Sequence, residues 1–236
     1  MGEHVSEVVA APDRRPRVAL PVLAGGLVLA YAPVVLPGLL RRLGLVELPW
    51  GPANALVWNW LAVGALVAYV VRIERLPLAS LRLVRPTAKD IEWGCYLGAA
   101  GALWHWGAAS ALARFGATGA GTRAADGTGQ LVALGPAILA AILVTAVVTE
   151  EILWRGYVVE RLAAWIPAWV AAGLGLAVFA AAHVPFFGAT WLVTVFPGAA
   201  LLYVVLLWRR NLWACMACHL VGNLPLLVVT LIPGLG

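Results

Sequence analysis

Charged side chains are scarce in this sequence. Only 11% of its 236 residues are Asp, Glu, Lys or Arg, and Lys89 is the single lysine, whereas soluble domains carry about 25% charged residues. The three cysteines all lie in apolar segments and indicate no disulfide framework. These shortages exclude a water-soluble globular domain. The net charge of +5 comes from short arginine clusters between apolar runs, which indicates membrane orientation and no nucleic-acid partner.

Apolar residues make up 63% of the chain, and its 12 tryptophans suit the two interfaces of a membrane. A spanning helix needs about 20 apolar residues. We therefore predict an all-α, polytopic transmembrane bundle of seven to eight helices. A tail over residues 1–17 precedes a single integral membrane domain over 18–236. The predicted spans are 18–40, 53–71, 91–113, 131–155, 168–184, 190–208 and 211–232.

Arginines near the amino terminus and the basic segment from Arg72 to Lys89 place the amino terminus in the cytoplasm. Residues 116–129 are rich in Gly, Ala and Thr and are predicted to form a flexible loop. The amphipathic stretch 157–165, with Glu160 and Arg161 on its polar edge, either adds an interfacial eighth helix or extends the fourth span. Residue usage typical of a GC-rich genome predicts a bacterial plasma membrane.

The fourth span ends in Glu150-Glu151-Ile152-Leu153-Trp154-Arg155. Glu151 and Arg155 are four residues apart with the acid first, which is the favourable order for an ion pair on a helix. Glu150 points about 100° away from Glu151 around the helix axis, so its carboxylate stays free to act as a base. Charged groups at membrane depth cost about 2.5–3.5 kcal/mol each and usually mark functional sites. The alternative is a structural Glu–Arg pair at a helix contact.

Two later spans carry further polar groups. Phe179 and His183 form an FxxxH pattern on the fifth span, and Pro185 is expected to break that helix. On the seventh span His219 and Asn223 are four residues apart, so both project from one face. Two converging donors are what an oxyanion requires. Taken alone, His183 could be a packing residue and the His219–Asn223 pair an interhelical polar clamp.

The order EExxxR, FxxxH and HxxxN on apolar helices resembles the CAAX-protease and bacteriocin-processing (CPBP, or Abi) family of intramembrane proteases, over about 131–226. The basic linker 80–87 also looks like that family's. The resemblance implies that Glu150 and His183 activate water, that His219 and Asn223 stabilise the oxyanion, and that Glu151 and Arg155 support the site. It implies a CaaX-type endopeptidase whose substrate is a peptide or a lipidated protein at the lipid surface.

Several alternatives stay open. Two glutamates and two histidines could hold a divalent metal such as zinc, but no HExxH pairing exists, so no cofactor is predicted. Cys215-Met216-Ala217-Cys218-His219 matches the CxxCH haem-attachment pattern, although the apolar surroundings favour packing cysteines. His105, between two tryptophans, is expected to have a packed or interfacial role. Other functional hypotheses are a catalytically silent scaffold or bacteriocin-immunity partner, and a proton-coupled transporter, which would be expected to show a repeat.

Overall fold

The computed structural model describes residues 15–45, 54–115 and 123–231, and these form helices and connecting turns without a β-strand. The helices are α1 (Leu20–Arg42), α2 (Asn54–Arg72), α3 (Ala88–Arg114), α4 (Arg123–Val132), α5 (Pro136–Leu162), α6 (Ala168–Phe187), α7 (Trp191–Thr194), α8 (Phe196–Arg209) and α9 (Leu212–Leu231), with a short 3₁₀ turn at Leu78–Leu81. The all-α prediction is confirmed, and seven of these helices coincide with the predicted spans.

Three helices are long and apolar enough to cross a membrane by length and composition, namely Leu20–Arg42, Pro136–Leu162 and Ala168–Phe187. Shorter apolar helices cover Leu56–Arg72, Phe196–Arg209 and Leu212–Val228. Large apolar side chains on the outer faces, such as Val28 and Leu103, are 70% exposed. This surface fits an integral membrane protein, because hydrocarbon replaces water as the solvent for such side chains.

The helix α5 runs through the core of the bundle. It begins at Pro136, which suits the first helical position because proline lacks an N–H group. Gly135 precedes it with a positive φ of 80°. The helix continues without a break to Leu162. The stretch after residue 155 therefore extends the fourth span, and the alternative of a separate interfacial helix is wrong.

Two local predictions are corrected. Part of the predicted loop 116–129 lies outside the described residues, but Arg123–Val132 is the helix α4. It packs against the end of α6, where Gly127 lies close to Phe186 and Phe187, and this tertiary contact overrides the low helix propensity. Pro185 does not break α6, which continues for two more residues to Phe187.

The glycines of α3 allow α9 to approach it closely. A Cβ atom at Gly94 or Gly98 would overlap the main-chain carbonyl oxygen of Ala214 or Cys218, respectively. Small residues at such spacing are the usual means of close helix contact in membranes. The α3–α9 contact is the most extensive helix pairing in the described structure, and it fixes the position of the helix that carries His219 and Asn223.

One end of the bundle holds a network of buried ion pairs. Arg161 is 1% exposed and binds Glu74, with 2.8 Å between Nη2 and Oε2, and it donates to Ser80. Glu160 is 5% exposed and lies 2.9 Å from Nε of Arg82 and 3.1 Å from Nε of Arg15. The prediction that Glu160 and Arg161 lie on a polar edge is therefore wrong. These arginines hold the linker and the amino-terminal segment against α5.

Candidate active site

Glu150 and Glu151 lie where the backbone of α5 changes its winding. Residues Pro136–Glu150 are α-helical, whereas Glu151–Val159 form a π-helix, and all nine π-helical residues are buried. A π-helix is a rare conformation that occurs frequently at functional sites. No residue pattern predicts this π-helix, because its hydrogen bonds join residues five apart within an otherwise ordinary apolar run.

Glu151 joins two helices through a single carboxylate oxygen. Nη1 of Arg155 donates to Oε1 at 3.1 Å, and Nδ1 of His219 lies 2.8 Å from the same atom. Glu151 and Arg155 are both fully buried, and the predicted ion pair is confirmed. Because an ionised carboxylate only accepts hydrogen bonds, Nδ1 of His219 carries a proton. The Nε2 atom of His219 is then the nitrogen left for chemistry.

Glu150, the adjacent residue, differs from Glu151 in its surroundings. Its side chain is half-buried, and no ion pair or hydrogen bond ties it to another residue in the described part of the chain. Its carboxylate is close enough to interact electrostatically with His183 and Arg155. This arrangement matches the expected division, in which the arginine is paired with one glutamate and the other stays available.

His183 has a defined tautomer. Its Nδ1 atom lies 2.8 Å from the main-chain carbonyl oxygen of Phe179, one turn earlier in α6. A carbonyl oxygen can only accept, so Nδ1 carries the hydrogen and Nε2 of the neutral ring has a free lone pair. The ring also lies against the aromatic rings of Phe179, Phe187 and Trp191. Nε2 of His183 can therefore accept a hydrogen bond from a water molecule or a substrate.

Arg155 is held between two aromatic rings. Its Cζ atom lies 4.3 Å from the ring centroid of Phe179 and 4.5 Å from that of Tyr203 on α8. A buried guanidinium over ring faces gains cation–π attraction, which offsets part of the cost of removing the charge from water. Sequence reasoning missed Tyr203, and also Trp191, because a single aromatic residue in an apolar helix is indistinguishable there from ordinary core packing.

His219 and Asn223 lie on α9, which packs against both α3 and α5. Both side chains are half-buried, as are Glu150 and His183. The fully buried Glu151–Arg155 pair lies next to this half-buried set and is bonded to it through His219. Groups that are partly accessible can reach a water molecule or a substrate, whereas the pair behind them cannot.

A protein-family comparison matches the same region of the chain. The family model described as "Type II CAAX prenyl endopeptidase Rce1-like" matches residues 132–225. Residues 132–225 are therefore similar to the CAAX protease family. The family predicted from the three motifs is confirmed. Neither a curated protein nor a solved structure matches the chain.

The same donor groups were alternatively expected to hold a divalent metal. Among the described residues, no group of three or more His, Cys, Asp or Glu side chains is placed to hold a metal ion. A catalytic zinc usually has three protein ligands. Here Nδ1 of His219 is bonded to Glu151 and Nδ1 of His183 to a main-chain carbonyl.

The residues of the CxxCH pattern and His105 lie in packed surroundings. Cys215 and Cys218 are buried, and the thiol of Cys215 faces the main-chain carbonyls of Leu202 and Asn211 at 3.6 and 3.7 Å. His219 of the same pattern is directed at Glu151. His105 hydrogen-bonds to the main chain of Thr194, in agreement with the expected packing role.

Proposed function

We propose that this protein is an intramembrane endopeptidase of the CAAX type, which hydrolyses a peptide bond in a membrane-associated substrate. The observation that carries the proposal is the Oε1 atom of Glu151, which bonds Arg155 and His219 together although His219 is 68 residues away. The EExxxR and HxxxN motifs are therefore in contact at this atom. The FxxxH motif, on α6, contacts them through Phe179, whose ring lies beside Arg155, and through the electrostatic interaction of His183 with Glu150.

Glu150 is the proposed general base. Its carboxylate takes one proton from a water molecule, while Nε2 of His183 accepts a hydrogen bond from the other. The water oxygen forms a bond to the scissile carbonyl carbon. When the tetrahedral intermediate collapses, the C–N bond breaks and Glu150 returns its proton to the leaving amine. General acid–base catalysis of this kind contributes about 10²–10⁴-fold.

His219 and Asn223 are the proposed donors to the oxyanion. Because Nδ1–H of His219 faces Glu151, its Nε2 atom donates only when the ring is an imidazolium. In the proposed step the ring donates in that form, with its Nδ1–H held by the carboxylate of Glu151. The amide nitrogen of Asn223, one turn away on α9, supplies the second donor. Preorganised donors at a developing negative charge are usually the largest single contribution to such catalysis.

Glu151 and Arg155 are proposed to support the site, since both are fully buried. The carboxylate orients His219, and the guanidinium neutralises the carboxylate. In this proposal no metal takes part, because no group of three or more His, Cys, Asp or Glu side chains among the described residues is placed to hold one.

The test is cleavage by the purified full-length protein in lipid vesicles. The substrates are peptides with a carboxyl-terminal CaaX sequence, offered with and without an isoprenyl group on the cysteine. Glu150→Gln should abolish cleavage while peptide binding persists. Glu92→Gln, at an exposed position on α3, is the matched control and should cleave normally. Preference for the isoprenylated peptide would identify a prenylated substrate, and equal cleavage would favour leader or signalling peptides.

A non-enzymatic role gives the opposite result. A catalytically silent scaffold or bacteriocin-immunity partner would keep its cellular function in Glu150→Gln, because its binding surfaces are unchanged. Full function of that variant would contradict the proposed endopeptidase.

A further inference from the structure

Trp191 lies in the short helix α7 and is not part of the three motifs. Its indole ring is 3% exposed and lies 5.2 Å from the imidazole of His183, with 21° between the planes. The centroids of Phe179 and Trp191 are 6.2 Å apart, so the three rings form a triangular cluster. Offset stacking at such distances contributes about 0.5–1.5 kcal/mol per pair beyond burial.

The chain reaches Trp191 through a turn that requires glycine. Gly188 ends α6 with φ 83° and ψ 173°, a conformation open essentially to glycine alone. Its carbonyl oxygen accepts a hydrogen bond from the main-chain N–H of Trp191 at 3.2 Å. The turn therefore reverses the direction of the chain, so that the indole of Trp191 contacts the imidazole of His183 on α6.

The segment that follows Trp191 is anchored to α3. Nε1 of Trp104 donates to the carbonyl oxygen of Val193 at 2.8 Å, and His105 hydrogen-bonds to the main chain of Thr194. The hydroxyl of Thr194 donates to the carbonyl oxygen of Thr190 at 3.1 Å. Two adjacent polar groups of α3 thus hold the turn that carries the indole.

We infer that Trp191 is a positioning residue for His183, held in place by Trp104 and His105. The indole prevents the imidazole from rotating away from the carbonyl of Phe179. It thereby keeps the hydrogen on Nδ1 and the lone pair on Nε2. The inference rests on the proposed function for its kinetic consequence, whereas the effect on the tautomer is independent of any activity.

The first measurement is the tautomer of His183 by ¹⁵N NMR in detergent. The chain has four histidines, and His183→Gln identifies the signal of His183 by its loss. The wild type should show the Nδ1–H form. Trp191→Leu, which removes the aromatic face, should show a mixture of the Nδ1–H and Nε2–H forms of His183. Trp191→Phe should restore the wild-type spectrum. Trp169→Leu, on α6 and 72% exposed, is the matched control and should change nothing.

The second measurement is steady-state cleavage of a peptide substrate. Trp191→Leu should lower kcat about 10- to 100-fold with little change in KM, because misplacing a catalytic group by about 1 Å costs this much. Trp191→Phe should recover most of kcat, which general destabilisation of the core would not allow. Trp104→Phe, which loses only the hydrogen bond to Val193, should lower kcat by a smaller factor.

The outcomes separate the two proposals. If Trp191→Leu folds and keeps both the Nδ1–H tautomer and the wild-type kcat, the positioning role is wrong. If Trp191→Leu does not fold, the test is made with Trp104→Phe. An unchanged tautomer and an unchanged kcat in that variant would overturn the inference. If the wild type cleaves no peptide but its tautomer responds to Trp191→Leu, the positioning role stands and the endopeptidase proposal fails.

Discussion

His219 Nδ1 and Glu151 Oε1 lie 2.8 Å apart, so the conformation of α9 is tied to the π-helical segment of α5. The same oxygen accepts a hydrogen bond from Nη1 of Arg155. Removal of this one carboxylate leaves an arginine without its counterion and a histidine without its orienting partner.

Glu151→Gln should therefore reduce both stability and activity. Breaking a buried pair by removing one partner costs about 3–5 kcal/mol, because the other charge remains buried. In detergent, the thermal unfolding temperature should fall strongly for Glu151→Gln and hardly at all for Glu150→Gln. The side chain of Glu150 is half-buried and unpaired within the described structure. Equal stabilities of the two variants would contradict the supporting role of Glu151.

Gly98→Ala should displace the helix that carries His219. The added Cβ would overlap the main-chain carbonyl of Cys218, and a helix backbone yields only by moving as a unit. We expect a loss of about 1–3 kcal/mol in stability and a larger relative loss of cleavage, since α9 must shift relative to Glu151. Gly107→Ala, on the same helix with nothing within 4 Å, is the control. Normal cleavage by Gly98→Ala would show that the α3–α9 spacing does not position His219.

The sequence predicted the positions of the main helices because a membrane requires long apolar segments. It also predicted the Glu151–Arg155 pair, whose partners are fixed by helix geometry over four residues. The contact of Glu151 with His219 was not predicted, since no local rule connects residues so far apart. The family resemblance implied only that both residues belong to one site.

Other features depend on tertiary packing that no local pattern encodes. The π-helical winding of Glu151–Val159 changes the backbone without a diagnostic residue. Arg82 and Arg161 resemble ordinary topology signals, yet they form ion pairs with Glu160 and Glu74. Trp191 and Tyr203 are two of many aromatic residues in apolar segments, and only the folded chain shows that they contact His183 and Arg155.

Asp90 should make stability depend on pH at the start of α3, ahead of the predicted span 91–113. Burial raises the pKa of this carboxyl, but hydrogen bonds from the main chain and hydroxyl of Thr87 and the guanidinium of Arg209 outweigh it. The net effect lowers the pKa below its usual value. A group whose pKa is lowered on folding stabilises the folded state above its unfolded pKa of about 3.9. That contribution is lost as the pH falls through the folded pKa.

The measurement is thermal unfolding of the wild type and Asp90→Asn in detergent between pH 6 and pH 3. At pH 6 the wild type should be the more stable protein, because the ion pair with Arg209 and the cap of α3 are intact. The difference should shrink as the pH falls below about 4. A difference that stays constant with pH would mean that the charge of Asp90 contributes nothing to folding.

Removal of divalent metals should leave cleavage unchanged. A catalytic zinc site needs about three protein ligands and an open position for water, and no such group of side chains is present among the described residues. The measurement is cleavage after dialysis of the protein against a chelator, compared with the same protein dialysed against zinc-saturated chelator.

The two possible results of chelation assign different roles to the same residues. Unchanged activity leaves Glu150 as the group that takes the proton from water, so Glu150→Gln should stay inactive even when zinc is added. Loss of activity that zinc restores would make Glu150, His183 and His219 ligands instead. His219 would then bind the metal through Nε2 while its Nδ1–H stays on the carboxylate of Glu151. A change in the ¹⁵N signal of Nε2 of His219 on addition of zinc would reveal that coordination and contradict the metal-free mechanism.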